Sequence, residues 1–268
     1  MLISIITSTY NEYKKGELQR SVASVLAQTY PLWEMIIIGD CSPCGEKIER
    51  WIAKLNDARI RFLNLPKRAG VVSPGTIPKM EGVKLARGEY LAFLDADNVY
   101  FPKHLERCAS EFEKNPSLDL VYGDTIVKMT NDQQGKLSLP MPNLSSFRWK
   151  KPEWSEKSAR MLERVNFLDM SEPVFKMEAY EESGGLDPSH HAADWLLWRA
   201  MVKAGRNHFF HSAHKGLIYY THTHLQHLSY FFLMLGQKSG IPYKSEKLHW
   251  MQRYIKRRFQ NRYRERIP

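Results

Sequence analysis

Apolar residues in the first half of the chain change their spacing several times, and each change marks an element. Residues 2–8, Leu-Ile-Ser-Ile-Ile-Thr-Ser, form a short β-branched run of the kind buried on both faces of a parallel sheet. Leu18, Val22, Val25 and Leu26 then fall at helical spacing, and Pro31 lies beyond that stripe. Met35–Ile38 reads as a second strand, and Ile48, Trp51, Ile52 and Leu55 as the face of a second helix. Arg59–Leu63 reads as a third strand, Pro78–Ala86 as a helix, and Tyr90–Leu94 as a fourth strand ending at Asp95-Ala-Asp97. Leu105, Cys108 and Phe112 mark another helix, and Leu118–Tyr122 another strand. Residues 131–157, with Pro140, Pro142 and Pro152 and few periodic apolar positions, read as loop. Beyond them Glu178–Ser183 is a short helix stopped by Gly184-Gly185. Asp194–Ala204 is a stronger one, with Leu197, Trp198 and Met201 on its apolar face and Gly205 as its stop.

Strands alternating with helices of this length predict an α/β fold with a mainly parallel sheet flanked by helices, Rossmann-like in its crossovers. Such sheets bind ligands beyond the carboxyl ends of their strands. The polar groups Thr9-Tyr-Asn-Glu12, Asp40 and Asp95-Ala-Asp97 follow the first, second and fourth strands, so the topology alone gathers them along one edge. Two carboxylates one residue apart at such an edge suit a hard divalent cation, Mn²⁺ or Mg²⁺, that keeps positions open for diphosphate oxygens. The plainer alternative is a solvated acidic turn leading into the next helix.

Composition changes this picture little until the end of the chain. Hydrophobic residues at 43% and charged residues at 25% are ordinary globular values. Of the net charge of +10, most sits after Gln237, where ten Lys and Arg face two Glu. Leu248, Met251, Ile255, Phe259 and Tyr263 repeat there at helical spacing, which describes a basic amphipathic tail. An anionic membrane surface, a nucleic acid backbone, or the chain's own catalytic domain would each suit such a helix. The three cysteines, Cys41, Cys44 and Cys108, cannot all pair, and the chain opens straight into a strand without a secretory leader. No apolar run approaches the roughly 20 residues that span a bilayer. The expectation is a reducing, cytoplasmic setting, peripheral at a membrane if the tail binds one. Cys41-Ser-Pro-Cys44 has C-x-x-C spacing, but no second pair completes a zinc site, so two loop thiols are the simpler account.

The stretches Ile3–Glu12, Ser21–Tyr30, Glu34–Ser42 and Gly88–Asp97, followed by Glu172–Phe175, Glu182–Asp187 and Asp194–Trp198, resemble a family-two glycosyltransferase of the GT-A fold. The resemblance implies an inverting, metal-dependent enzyme that moves one sugar from a nucleotide-diphospho-sugar, a UDP-sugar by first choice, to an acceptor hydroxyl. It implies a nucleotide-sugar half over residues 1–130 and an acceptor and catalytic-base half over 131–230, beyond which the basic tail takes 231–268. Ser8, Thr9, Tyr10 and Glu12, with Asp40, would hold the nucleoside. Asp95 would contact the ribose, Asp97 would ligate the metal, and Lys79 would meet donor phosphate where the family usually carries Arg. Asp194 matches the family's catalytic base, with helix N-capping as its structural alternative. In Tyr220–Ser229 the match of a His five residues before a Ser selects His224 for the metal or diphosphate, with His222 second.

Departures from the family pattern are Gly39 before Asp40, Ala193 before Asp194 and Ser8 before Thr9. The Q-x-x-R-W signature of processive synthases is absent, so a single addition is expected. The G-x-R loop of sugar-nucleotide pyrophosphorylases is absent as well. Surface polysaccharide or glycolipid assembly, on a saccharide or lipid-linked acceptor, is the expected setting. The alternatives are a glycosyltransferase acting on modified nucleic acid and a non-catalytic protein binding nucleic acid or membrane through the tail.

Overall fold

The computed structural model describes residues 1–69, 74–129, 146–190 and 192–221. The basic tail, His222 and His224 lie outside the described residues. Residues 1–125 and 150–219 form one compact unit, and a second takes in 126–149 and the chain from 220 onward.

The first unit opens with strand β1 (Ile3–Thr9), helix α1 (Glu17–Leu26), β2 (Trp33–Gly39), α2 (Gly45–Leu55), β3 (Ile60–Asn64), α3 (Thr76–Lys84) and β4 (Tyr90–Phe93). β1 pairs in parallel with both β2 and β4, and β2 with β3, as the alternating pattern predicts. β1 is buried on both faces because helices cover both. Ile3 and Ile5 join Leu18, Val22 and Val25 of α1 and Ile48 of α2 in one fully enclosed cluster. On the other face α3 comes so close that a methyl group on Gly82 would fall 2.4 Å from Ile6 Cγ2. Such close-packed contacts leave little room for a change of even one methyl.

Beyond β4 the sheet turns antiparallel. The later elements are β5 (Val99–Tyr100), α4 (His104–Lys114), β6 (Leu120–Met129), β7 (Ser146–Trp149), α5 (Glu156–Leu162), β8 (Val174–Lys176), α6 (Met177–Glu182), α7 (Ala193–Lys203) and β9 (Phe209–Thr221). The strand order is β3-β2-β1-β4-β8-β6-β9-β5. β8 lies between β4 and β6, antiparallel to both, and β5 is antiparallel to β9.

The predicted loop over 131–157 contains β7 and the first residues of α5. A four-residue strand is too short to display a period of two, and Trp149, only 5% exposed, carries its packing. Ser155 opens α5 with a capping box, its side chain accepting from the Ser158 backbone N–H. β9 escaped prediction for a different reason. Ala213 sits at φ 52, a left-handed conformation that interrupts the strand's in-and-out alternation.

In the second unit, Thr221 Oγ1 donates to the carbonyl of Lys128 at 3.3 Å.

Candidate active site

The parallel register places the carboxyl ends of β1, β2 and β4 side by side, and the loops leaving them interlock. The backbone N–H of Asp40 donates to the Thr9 carbonyl at 2.8 Å, and Ser42 Oγ donates to the Tyr10 carbonyl at 2.6 Å. Glu12 begins a single 3-10 turn, Glu12–Lys15, and its carboxylate folds back to accept from Thr9 Oγ1 at 2.9 Å and from the Tyr10 N–H at 2.6 Å. Glu12 therefore holds the shape of this loop.

Asp40 is buried at 5% exposure, with its two oxygens unequally engaged. Oδ1 accepts the backbone N–H of Ala69 at 2.7 Å, and Oδ2 lies 3.8 Å from Arg68 Nε. The Arg68 guanidinium sits 3.9 Å over the Tyr10 ring. Arg68 thus bridges Asp40 and Tyr10, and nothing in the local sequence pattern singled it out.

Lys79 is drawn in from α3 until its side chain is 5% exposed, with Nζ 2.7 Å from Asp95 Oδ1 and 3.3 Å from Ser8 Oγ. The helix is held close by Gly75, at φ 79, where a methyl group would fall 2.5 Å from Ser8 Oγ. Ser171 Oγ donates to Asp95 Oδ2 at 3.1 Å and accepts the Asp95 backbone N–H at 3.0 Å. Burial pushes the Asp95 carboxyl up, but the Lys79 ammonium and the Ser171 hydroxyl outweigh it and hold the group below its ordinary range. Asp95 is thereby kept ionised beside Lys79. Asp97 follows at the same strand end, half-buried, and Arg20 Nη2 donates to its backbone carbonyl at 3.4 Å.

Asp194 sits in the first turn of α7. The helix N-cap is Ala192, which makes no side-chain cap, so the capping role considered for Asp194 is not the one observed. Its Oδ1 accepts the adjacent Trp195 N–H at 2.7 Å, and Oδ2 accepts Asn166 Nδ2 at 2.9 Å. Burial raises its carboxyl to about 6, with the charges of Asp169 and Asp95 adding to the rise against those two donated hydrogen bonds. A carboxyl poised there is deprotonated at neutral pH yet basic enough to take a proton.

A buried ionic network lies behind these groups. Lys151 Nζ, fully enclosed, bridges Asp169 Oδ2 at 2.8 Å and Glu172 Oε2 at 3.0 Å. Thr125 Oγ1 donates to Asp169 Oδ2 at 2.8 Å, and the Ser171 N–H donates to Asp169 Oδ1 at 3.1 Å. The Gly123 N–H donates to Glu172 Oε1. Burial pushes Glu172 up to about 7, against the pull of Lys151. Ser171 links this network to Asp95. Lys151 fell inside the stretch read as loop, and its partners are distant in sequence, so no spacing could have paired them.

The structure thus brings Ser8, Lys79 and Asp95 into direct contact, and ties Thr9, Tyr10, Glu12 and Asp40 together through the hydrogen bonds of the loops that leave β1 and β2. Asp97 is not gathered with two further His, Cys, Asp or Glu ligands among the described residues. Its oxygen chemistry fits a divalent cation whose other ligands come from a diphosphate and water.

The chain belongs to glycosyl transferase family 2, whose sequence pattern matches residues 4–183. Its fold is GT-A. It is similar to the crystal structure of S. aureus TarS 1–349 in complex with UDP-GlcNAc, at a TM-score of 0.62 and 18% identity, over 83% of this chain and 59% of that one. It is similar also to the mannosyltransferase PcManGT from Pyrobaculum calidifontis in complex with GDP-Man and Mn²⁺, at a TM-score of 0.56 and 16% identity, over 88% of this chain and 64% of that one. Among curated proteins it is 29% identical over 140 residues to the putative colanic acid biosynthesis glycosyl transferase WcaA of Escherichia coli strain K12, covering 52% of this chain and 48% of WcaA. It is 30% identical over 139 residues to the Escherichia coli UDP-Glc:alpha-D-GlcNAc-diphosphoundecaprenol beta-1,3-glucosyltransferase WfgD, covering 52% and 51%. The chain spans about half the length of these curated relatives.

Proposed function

We propose that this chain transfers a single sugar, with inversion, from a UDP-sugar to the hydroxyl of a saccharide or lipid-linked acceptor in surface glycan assembly. The observation that carries the reading is the placement of Asp194. Its carboxyl, raised to about 6, is close enough to feel Asp95 at the strand end where a diphosphate would lie. Asp194 takes the acceptor O–H proton while that oxygen forms its bond to the sugar C1. The bond from C1 to the diphosphate oxygen breaks on the opposite side, and the nucleoside diphosphate leaves with its electron pair. Lys79 meets the donor phosphates as a point charge. Asp40 Oδ2, beside Arg68, accepts the ring N–H of the base. Asp97, with His224 as the expected partner from the chain beyond the described residues, would hold Mn²⁺ or Mg²⁺. When bound, that ion supplies neutralising charge for the leaving diphosphate.

The UDP choice is supported by the donors named for WfgD and TarS, and the cation by the Mn²⁺ named for PcManGT. A lipid-linked acceptor is supported by the diphosphoundecaprenol in WfgD's name. No helix among the described residues is long and apolar enough to cross a membrane. The basic tail would serve as a peripheral anchor for reaching such an acceptor. Incubation with a panel of UDP- and GDP-sugars, with and without Mn²⁺, followed by NMR of the product's anomeric centre, tests the proposal. An inverted product from a UDP-sugar is expected, and a retained configuration would overturn the role given to Asp194.

A further inference from the structure

α4 sets His104 and Cys108 one turn apart, and positions four residues apart share a helix face. Both side chains are fully buried. β9 brings His214 against them, its ring stacked on that of His104 with centroids 5.2 Å apart. His104 Nδ1 and His214 Nε2 are 3.0 Å apart, and Cys108 Sγ is 4.0 Å from His104 Nδ1. One ligating atom from each residue lies within 4.8 Å of the other two. Zinc bound tetrahedrally by nitrogen at about 2.0–2.1 Å and sulfur at about 2.3 Å sets edges of about 3.3 Å between nitrogens and about 3.6 Å from nitrogen to sulfur. The His104–His214 and His104–Cys108 separations differ from those by about 0.3–0.4 Å, and the third lies within 4.8 Å.

We infer that His104, Cys108 and His214 form a buried transition-metal site, separate from the oxygen ligands of the donor site, and that zinc(II) is the ion it selects. Two imidazoles and a thiolate are a borderline-soft donor set. They favour zinc over the magnesium or manganese that carboxylates and phosphates hold. One further observation points to a cation. A methyl group on Gly216 would fall 2.7 Å from His104 Nδ1 and 2.8 Å from Glu172 Oε1, so a buried carboxylate faces the same space as the ligands. That carboxylate and Asp169 share the enclosed ammonium of Lys151. On binding, zinc displaces the thiol proton of Cys108 to solvent, and no group is oxidised or reduced. The ion would tie α4 to β9.

The test uses the full chain, purified without chelators from zinc-supplemented medium. Elemental analysis should find about one zinc per chain. Cys108→Ser and His214→Gln should each lower that content at least tenfold. After chelation and reloading with Co²⁺, the wild type should show a near-ultraviolet thiolate-to-cobalt charge-transfer band, which Cys108→Ser removes. Should the variants fail to fold, anomalous diffraction at the zinc edge on wild-type crystals locates the ion without them. A peak among the three side chains supports the inference. A zinc-free protein with no cobalt–thiolate band overturns it, as does an anomalous peak at Asp97 alone, and the cluster is then a hydrogen-bonded part of the core.

Discussion

Asn166 holds one oxygen of Asp194 through a 2.9 Å hydrogen bond, while the other oxygen is taken by the backbone N–H of Trp195. Both donors stabilise the carboxylate, and burial opposes them and wins, leaving the group at about 6. The Asp194 carboxyl is thus set by a balance between desolvation and two hydrogen bonds.

Transfer should therefore rise with pH through about 6 and level off above it, since only the ionised form accepts a proton. The folded-state value lies above the ordinary 3.8, so the contribution of this group to stability runs the other way. It is complete below that ordinary value and lost as pH rises through about 6. Asp194→Asn should cut turnover by ~10²–10⁴ with donor binding near wild type. Compared with wild type by thermal unfolding at several pH values, it should show no loss of stability between pH 4 and 7 from this position.

Asn166→Ala removes one donor and should move the acid limb of the turnover profile up by about 1–2 pH units. A profile that keeps its midpoint while activity falls uniformly would assign Asn166 to packing alone.

Lys79→Met leaves Asp95 without its ammonium, so the Asp95 carboxyl should rise. Affinity for UDP should fall by roughly 10–100-fold, as for the loss of a hydrogen bond to a charged group. Isothermal titration with UDP reads this directly. Asp97→Ala should instead abolish the Mn²⁺-dependent part of that binding while the fold stays intact.

Lys151→Met leaves Asp169 and Glu172 facing one another in the interior. Breaking a buried ion pair from one side costs about 3–5 kcal/mol, and urea denaturation should register a loss of that order. Adding Glu172→Gln should recover part of it, because the second carboxylate then needs no counter-charge.

Removing residues 245–268 should spare nucleotide binding and lower both vesicle retention and activity on a lipid-linked acceptor. Each basic residue near an anionic leaflet contributes about 1 kcal/mol, screened by salt. Retention on phosphatidylserine vesicles, unchanged by truncation, would sink the anchoring role.

The parallel wing was legible because its code is local. Ile3–Ile6, Met35–Ile38 and Leu91–Phe93 are apolar runs enclosed on both faces, and their order fixes which loops meet at the strand ends. Asp95 became a candidate from its place at the strand edge, and Ser8 and Lys79 by family resemblance; the β1–β4 register sets the strand ends side by side, and α3 brings Lys79 to them. Arg68, Asn166, Ser171 and Lys151 were not legible as site residues. Each acts through a partner far away in the chain, and a lone polar residue between apolar runs has the same sequence signature whether it is solvated or buried in a network. β9 hid because Ala213 breaks its alternation. Cys108 was read only as an apolar helix position, since nothing in its own neighbourhood announces His214.

The pairing of β4 with β8 has a consequence for biosynthesis. The strand that completes the parallel wing, with Leu91, Ala92 and Phe93 fully buried in the finished protein, takes its outer partner from Val174–Lys176. Roughly 80 residues separate them, which at ~5–20 residues per second is about 4–16 s of translation. During that interval the nascent chain carries an unpaired apolar edge, and Phe93 lacks the aromatic contact with Phe175 that later covers it at 5.5 Å. Ribosomes stalled before Lys176 should accordingly hold chains that recruit chaperones, and release past that point should discharge them.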